Sequence, residues 1–167
     1  EEPPPFQTVS PEFAELYRQH SAAVYRAALR ITGRPADAED VLQTVFLRMM
    51  NHDSSLDATR SPEAYLKRAA SNAAIDLLRQ RASKAETVAQ AAEWSRSTPR
   101  PNDEFLLKEG LRQALARLPA HDAELFVLRY IEGLSNIELA EMFDLERGTV
   151  ATRLHRIRQT LQQDVIR

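Results

Sequence analysis

Apolar residues recur along most of this chain at intervals of three and four, the spacing that places side chains in one stripe on a helix. Pro11 opens the first such stretch, in which Phe13, Leu16, Tyr17, Val24, Ala28 and Ile31 stay near a helical period until Gly33. Proline suits the first helical position and glycine the residue after the last, so the pattern predicts a helix between them. A second stretch, ADAEDVLQTVFLRMM, carries the stripe Val41, Leu42, Val45, Phe46 and Met49, with Asp37, Glu39 and Asp40 in its first turn, where the helix dipole favours anions. NHDSSLDATR breaks the pattern. Ser61 and Pro62 then supply a cap and a first helical residue for PEAYLKRAASNAAIDLLRQR. On this third helix Leu66, Ala69, Ala70, Ala73 and Leu77 form a packing side, while Arg68, Asn72, Asp76 and Arg79 form a polar one.

From Lys84 to Asn102 the periodicity fades into Ser, Thr, Pro, Arg and Pro, which reads as a linker. Its early part, AETVAQAAEW, is rich in helix formers, and Trp94 is placed to anchor it on a neighbouring surface. Three helical stretches follow: EFLLKEGLRQALARL up to Pro119, HDAELFVLRYIE up to Gly133, and LSNIELAEMFDLERGTVATRLHRIRQ, which reads as two short helices around a turn. Ser135 with Glu138 is a capping box that fixes the start of the first. Ile137, Ala140 and Phe143 give it an inner face, and Asp144 stands where the chain turns, in a left-handed conformation that Asp tolerates.

In the final helix Val150, Leu154, Ile157 and Leu161 fall on one narrow stripe. The opposite side collects Thr149, Thr152, His155 and Arg156, with Arg153 on its flank and Arg147 beside Gly148. These donors suit phosphates and base edges in a major groove, where arginine reaches guanine bidentately. A solvated surface face is the plain alternative; the capped helix and tight turn before it favour DNA contact.

Composition narrows the class. Four glycines in 167 residues, with 43% hydrophobic and 28% charged residues, fit a mostly helical globular chain long enough for two small cores. The absence of cysteine excludes disulfides and thiolate metal sites. The histidines His20, His52, His121 and His155 lack metal-ligand spacing, and there is no HExxH, phosphate-cradling glycine loop or nucleophile elbow, so neither metal nor catalysis is expected. No apolar run approaches a bilayer span and EEPPPFQTVS does not resemble a signal peptide, which predicts a soluble intracellular protein. The net charge of -2 hides two basic islands: residues 61–85 hold five bases against two acids, and residues 147–158 hold four arginines and no acid. A binding face uses local charge.

The block LARLPAHDAELFVLRYIEGLSNIELAEMFDLERGTVATRLHRIRQTL resembles region 4, the promoter-binding region, of bacterial extracytoplasmic-function (ECF, group IV) sigma factors of the sigma-70 family. It departs from the family pattern at Asp144, Glu146 and Ala151, where glycine, serine and lysine are usual. DAEDVLQTVFLRM is similar to region 2.2, and SPEAYLKRAASNAAIDLLRQR to regions 2.3 and 2.4, with Tyr65 where the family has tryptophan. The resemblance implies an all-α chain of two small helical domains, a region 2 bundle of three to four helices and a region 4 helix-turn-helix domain, joined by a flexible linker. Residues 1–11 would be a disordered extension, 12–84 region 2, 85–102 the linker and 103–167 region 4.

It further implies a cytoplasmic RNA polymerase sigma factor, not an enzyme and using no cofactor, since melting is driven by binding energy. Arg147, Thr149, Thr152, Arg153, His155 and Arg156 would read the -35 duplex. Arg68, Asn72, Asp76, Arg79, Arg81 and Lys84 would hold the -10 strand, although an ordinary solvated stripe with an Asp76 to Arg79 ion pair also accounts for that face. Asp37, Glu39, Asp40, Gln43 and Phe46 would contact core polymerase, while a helix start rich in acids equally explains the carboxylates. The implied partners are core RNA polymerase, promoter DNA and an anti-sigma factor, often membrane-anchored. Two alternatives stand beside this reading: a sigma-like module that sequesters an anti-sigma factor, and a conventional helix-turn-helix transcription factor.

Overall fold

The computed structural model describes residues 9–51, 61–91 and 103–166, with the backbone alone described at residues 86–91 and 166. Trp94 and the break NHDSSLDATR, apart from Asn51, lie outside the described residues. All regular structure among the described residues is helical: α1 (Pro11–Thr32), α2 (Pro35–Asn51), α3 (Pro62–Ala91), α4 (Asp103–Arg117), α5 (Ala120–Tyr130), α6 (Asn136–Phe143) and α7 (Arg147–Ile166).

The ends of these helices follow local chemistry. The Ser10 hydroxyl accepts from the Phe13 amide at the start of α1, and Gly33 ends that helix at φ 71°. A side chain at Gly33 would suffer twice, from the left-handed backbone and from a collision with the Arg112 guanidinium. Ser61 caps α3 by accepting from the Ala64 amide at 3.1 Å. That helix continues to Ala91, so the expected linker at 85–102 begins as helix, in keeping with the helix formers of AETVAQ.

Helices α1, α2 and α3 pack around Val24, Ala28, Ile31, Val41, Val45, Leu66, Ala70 and Ala74. Helices α4 to α7 enclose Leu115, Leu125, Leu128, Leu139, Val150, Leu154, Ile157 and Leu161. The α7 stripe is the one the spacing predicts. In α6 the inner face is rotated: Leu139 and Ala140 are buried, whereas Ile137 is 47% exposed.

Helix α3 packs on α1 and α2 and also on α4 and α5. It therefore buries Ser71, Ile75 and Leu78 in addition to Leu66, Ala70 and Ala73. A single packing side cannot serve two sets of neighbours, which is why its burial exceeds the predicted stripe.

The capping box forms as its spacing predicts: the Ser135 hydroxyl accepts from the Glu138 amide at 3.2 Å, and the Glu138 carboxylate accepts from the Ser135 amide at 2.7 Å. That backbone hydrogen bond, and the one to the Ser135 side chain, hold the Glu138 carboxyl below its ordinary pKa. A depressed carboxyl stabilises the fold above the unfolded pKa and loses that contribution as pH falls through the folded one. Ser135→Ala is expected to lower stability by about 1 kcal/mol, read as a lower thermal midpoint at neutral pH. Asp144 follows at φ 52° and ψ 49°, the left-handed turn expected of it.

Candidate nucleic-acid interface

The stretch from Thr149 to Arg156 becomes a surface because α7 buries Val150 and Leu154 beneath it. Arg147, Thr149, Thr152, Arg153, His155 and Arg156 are all exposed. No ion pair among the described residues engages Arg147, Arg153 or Arg156, so their guanidinium donors face solvent. The Thr152 hydroxyl donates back to the Gly148 carbonyl at 2.9 Å, leaving its oxygen as an acceptor. The α6–turn–α7 geometry thus presents a charged helix face on a hydrophobic base.

The polar residues of α3 are divided. Asp76 and Lys84 are exposed and Asn72 is half-buried. Arg68 instead pairs with Glu124 of α5, Nε to Oε1 at 2.6 Å, with its guanidinium 4.6 Å from the Phe143 ring centroid. Arg79 donates to the Leu118 carbonyl and Arg81 pairs with Asp37. The Asp76 to Arg79 ion pair weighed from sequence does not form.

On α2, Glu39, Asp40 and Gln43 are exposed, while Asp37 turns to Arg81. Phe46 is absent from that surface: it is 4% exposed, in edge contact with Phe13 and Tyr17. Its place in the apolar stripe with Val41, Val45 and Met49 already marked it as core.

Three features escaped the sequence reading. Glu124 is 3% exposed, and the Glu132 side chain is 1% exposed and paired to Arg30 at 2.9 Å. A carboxylate inside ELFVLRY was the one available signal for Glu124. The third is a groove lined by Leu111, Phe126, Tyr130, Leu161 and Val165 with Arg158 and Gln162 at its polar edge; Leu106 and Leu107 of α4 are also exposed. Among the described residues no group of three or more His, Asp or Glu is placed to hold a metal ion, and no helix is long and apolar enough to cross a membrane.

Comparison with known proteins places both halves in one lineage. Residues 16–84 match the family description of sigma-70 region 2, and residues 108–161 that of sigma-70 region 4. The ECF RNA polymerase sigma factor SigL of Mycobacterium tuberculosis is 34% identical over 157 residues, covering 89% of this chain and 88% of the relative. SigW of Bacillus subtilis is 29% identical over 165 residues, covering 92% of this chain and 88% of the relative. SigE of Mycolicibacterium smegmatis is 33% identical over 162 residues; the match covers 93% of this chain but 62% of that relative's length. Among solved structures, CnrH in complex with the cytosolic domain of CnrY aligns with a TM-score of 0.55 at 24% identity, covering 90% of this chain and 85% of that one. The sigma factor RpoE of Bartonella quintana, in complex with the anti-sigma factor NepR, aligns with a TM-score of 0.54 at 19% identity, covering 93% and 98%. At these identities the structures support the fold alone.

Proposed function

The chain belongs to the ECF RNA polymerase sigma factors of the sigma-70 family, and on that premise we propose that it directs promoter-specific initiation by binding core polymerase, reading the -35 duplex and opening the -10 element. The observation that carries this reading is the pairing of two matched regions in order with an exposed arginine face on α7 that makes no ion pair among the described residues. Its place of action would be the cytoplasm, and its domains would be region 2 at 12–84 and region 4 at 103–167, with the linker between.

The division of labour follows from the surfaces. Arg147, Thr149, Thr152, Arg153, His155 and Arg156 would enter the major groove, with positioning by phosphate contacts and specificity by base edges. Asn72, Asp76 and Lys84 would meet the separated -10 strand directly, joined by Arg68, Arg79 and Arg81 once their present partners let go. Glu39, Asp40 and Gln43 would bind core polymerase, since an acidic surface repels DNA and suits a basic protein partner. The apolar groove on α4, α5 and α7 has the character of a seat for an amphipathic helix, in core polymerase or in an anti-sigma factor. A conventional helix-turn-helix factor would have no use for a region 2 match over residues 16–84.

Glu39→Lys with Asp40→Lys is expected to weaken capture of the chain by immobilised core polymerase on the order of tenfold, with -35 duplex binding retained. Equal loss of both activities would contradict the separation of surfaces. Capture unchanged by the double substitution would remove α2 from the polymerase contact.

A further inference from the structure

A cavity of about 340 Å³, in the range of small-molecule sites, lies where the turn between α1 and α2 meets α3 and α4. Three guanidiniums line it, one from each of these elements: Arg34 from the turn, Arg81 from α3 and Arg112 from α4. Leu78, Ala82 and Ala85 of α3 give it an apolar wall. Arg112 is fixed in place, its Nε donating to the Ile31 carbonyl at 3.0 Å and its Nη1 to the Glu109 carboxylate at 2.8 Å. Arg81 pairs with Asp37. Each nearby acid thus serves one arginine, and the exposed Arg34 makes no ion pair among the described residues. Burial lowers the pKa of Arg81 from its ordinary value; Asp37 opposes that shift, Arg34 adds to it, and Glu109 and Arg112 make smaller, opposite contributions.

Like charges gathered around one cavity disfavour each other's charged form, and an anion among them removes that penalty. A guanidinium has more N–H donors than a single carboxylate contact uses, and its planar fork matches phosphate as well as carboxylate. We propose that this cavity binds a small organic phosphate, with the phosphate oxygens among Arg34, Arg81 and Arg112 and the body of the molecule against Leu78 and Ala82. An inorganic anion would leave the apolar wall uncovered, and a neutral apolar ligand would leave the arginines uncompensated. Both parts of the lining are used only by a ligand that carries both characters. The site needs neither promoter nor polymerase, so it stands independently of the reading given to α7.

Isothermal titration calorimetry of the full chain with ADP, ribose 5-phosphate and inorganic phosphate tests this. At least one of the two organic phosphates is expected to bind on the order of tenfold more tightly than inorganic phosphate, through the apolar area its body covers. Arg34→Gln removes an exposed charge that no other described residue pairs with, so the fold should persist while affinity falls on the order of tenfold. Ala82→Leu fills the apolar wall and should abolish binding of the organic phosphate. Lys108→Gln, a loss of the same charge at a residue that pairs with Glu104 and does not line the cavity, should leave affinity unchanged. Neither organic phosphate binding more tightly than inorganic phosphate would overturn the proposal, as would full affinity in Arg34→Gln or in Ala82→Leu. Equal weakening by Lys108→Gln would reduce the binding to diffuse charge and overturn it too. A random-sequence single-stranded DNA whose affinity also collapsed in Ala82→Leu would assign the cavity to the strand instead.

Discussion

A chain carrying Arg153→Ala together with Arg156→Ala is expected to bind its -35 duplex on the order of a hundredfold more weakly than the parent, with capture by core polymerase unchanged. Each well-placed arginine contact to a base edge discriminates by about 1–3 kcal/mol, and a factor of ten is about 1.4 kcal/mol. Two such contacts therefore reach a hundredfold even at the middle of that range. Both side chains are exposed and neither is ion-paired among the described residues, so their removal leaves no buried partner uncompensated. The stripe Val150, Leu154, Ile157 and Leu161 stays in place, and so should the fold. If the two arginines contact phosphates instead, affinity falls for every sequence alike and the salt dependence becomes shallower. Fluorescence anisotropy with matched and scrambled duplexes at two salt concentrations separates these outcomes, and an unchanged affinity would remove both residues from the interface.

Leu139→Ala is expected to destabilise region 4 by about 2–5 kcal/mol, through lost transfer energy and the cavity left behind. Leu139 has no exposed surface, and it lies in an eight-residue helix whose position sets the approach of α7. A small helical domain has only a modest stability to lose. Binding of the -35 duplex should disappear at temperatures where region 2 still captures core polymerase. Thermal unfolding followed by circular dichroism, with the duplex assay run in parallel, checks this. Ile137→Ala, at an exposed position of the same helix, should change the midpoint little; the opposite ranking would mean that α6 is rotated from the orientation described.

Much of this architecture was legible because it is local. The capping box is a matter of two residues three apart, the left-handed turn at Asp144 of one, and the buried stripe of α7 of a repeat that needs no knowledge of its neighbours. What escaped was set by distant partners. Arg68 and Glu124 are 56 positions apart, and Arg30 and Glu132 are 102 apart, so nothing near either arginine announces its carboxylate. The same cause explains α3. Its alanines mark close packing, but not that α4 and α5 would cover Ile75 and Leu78 from a second direction. Phe46 and Ile137 are a different case. Phe46 sits in the core as its place in the α2 stripe indicates, and only the family resemblance put it on the surface, whereas Ile137 is exposed because the inner face of α6 is rotated toward Leu139 and Ala140.

The central claim is that this chain confers promoter-specific initiation on core RNA polymerase, and in vitro run-off transcription from genomic promoter fragments of its own organism tests it most directly. Core polymerase alone should give no defined transcripts, and addition of the chain should yield discrete start sites that vanish with Arg153→Ala and Arg156→Ala combined. A transcript pattern identical with and without the chain, across all fragments, would contradict the account.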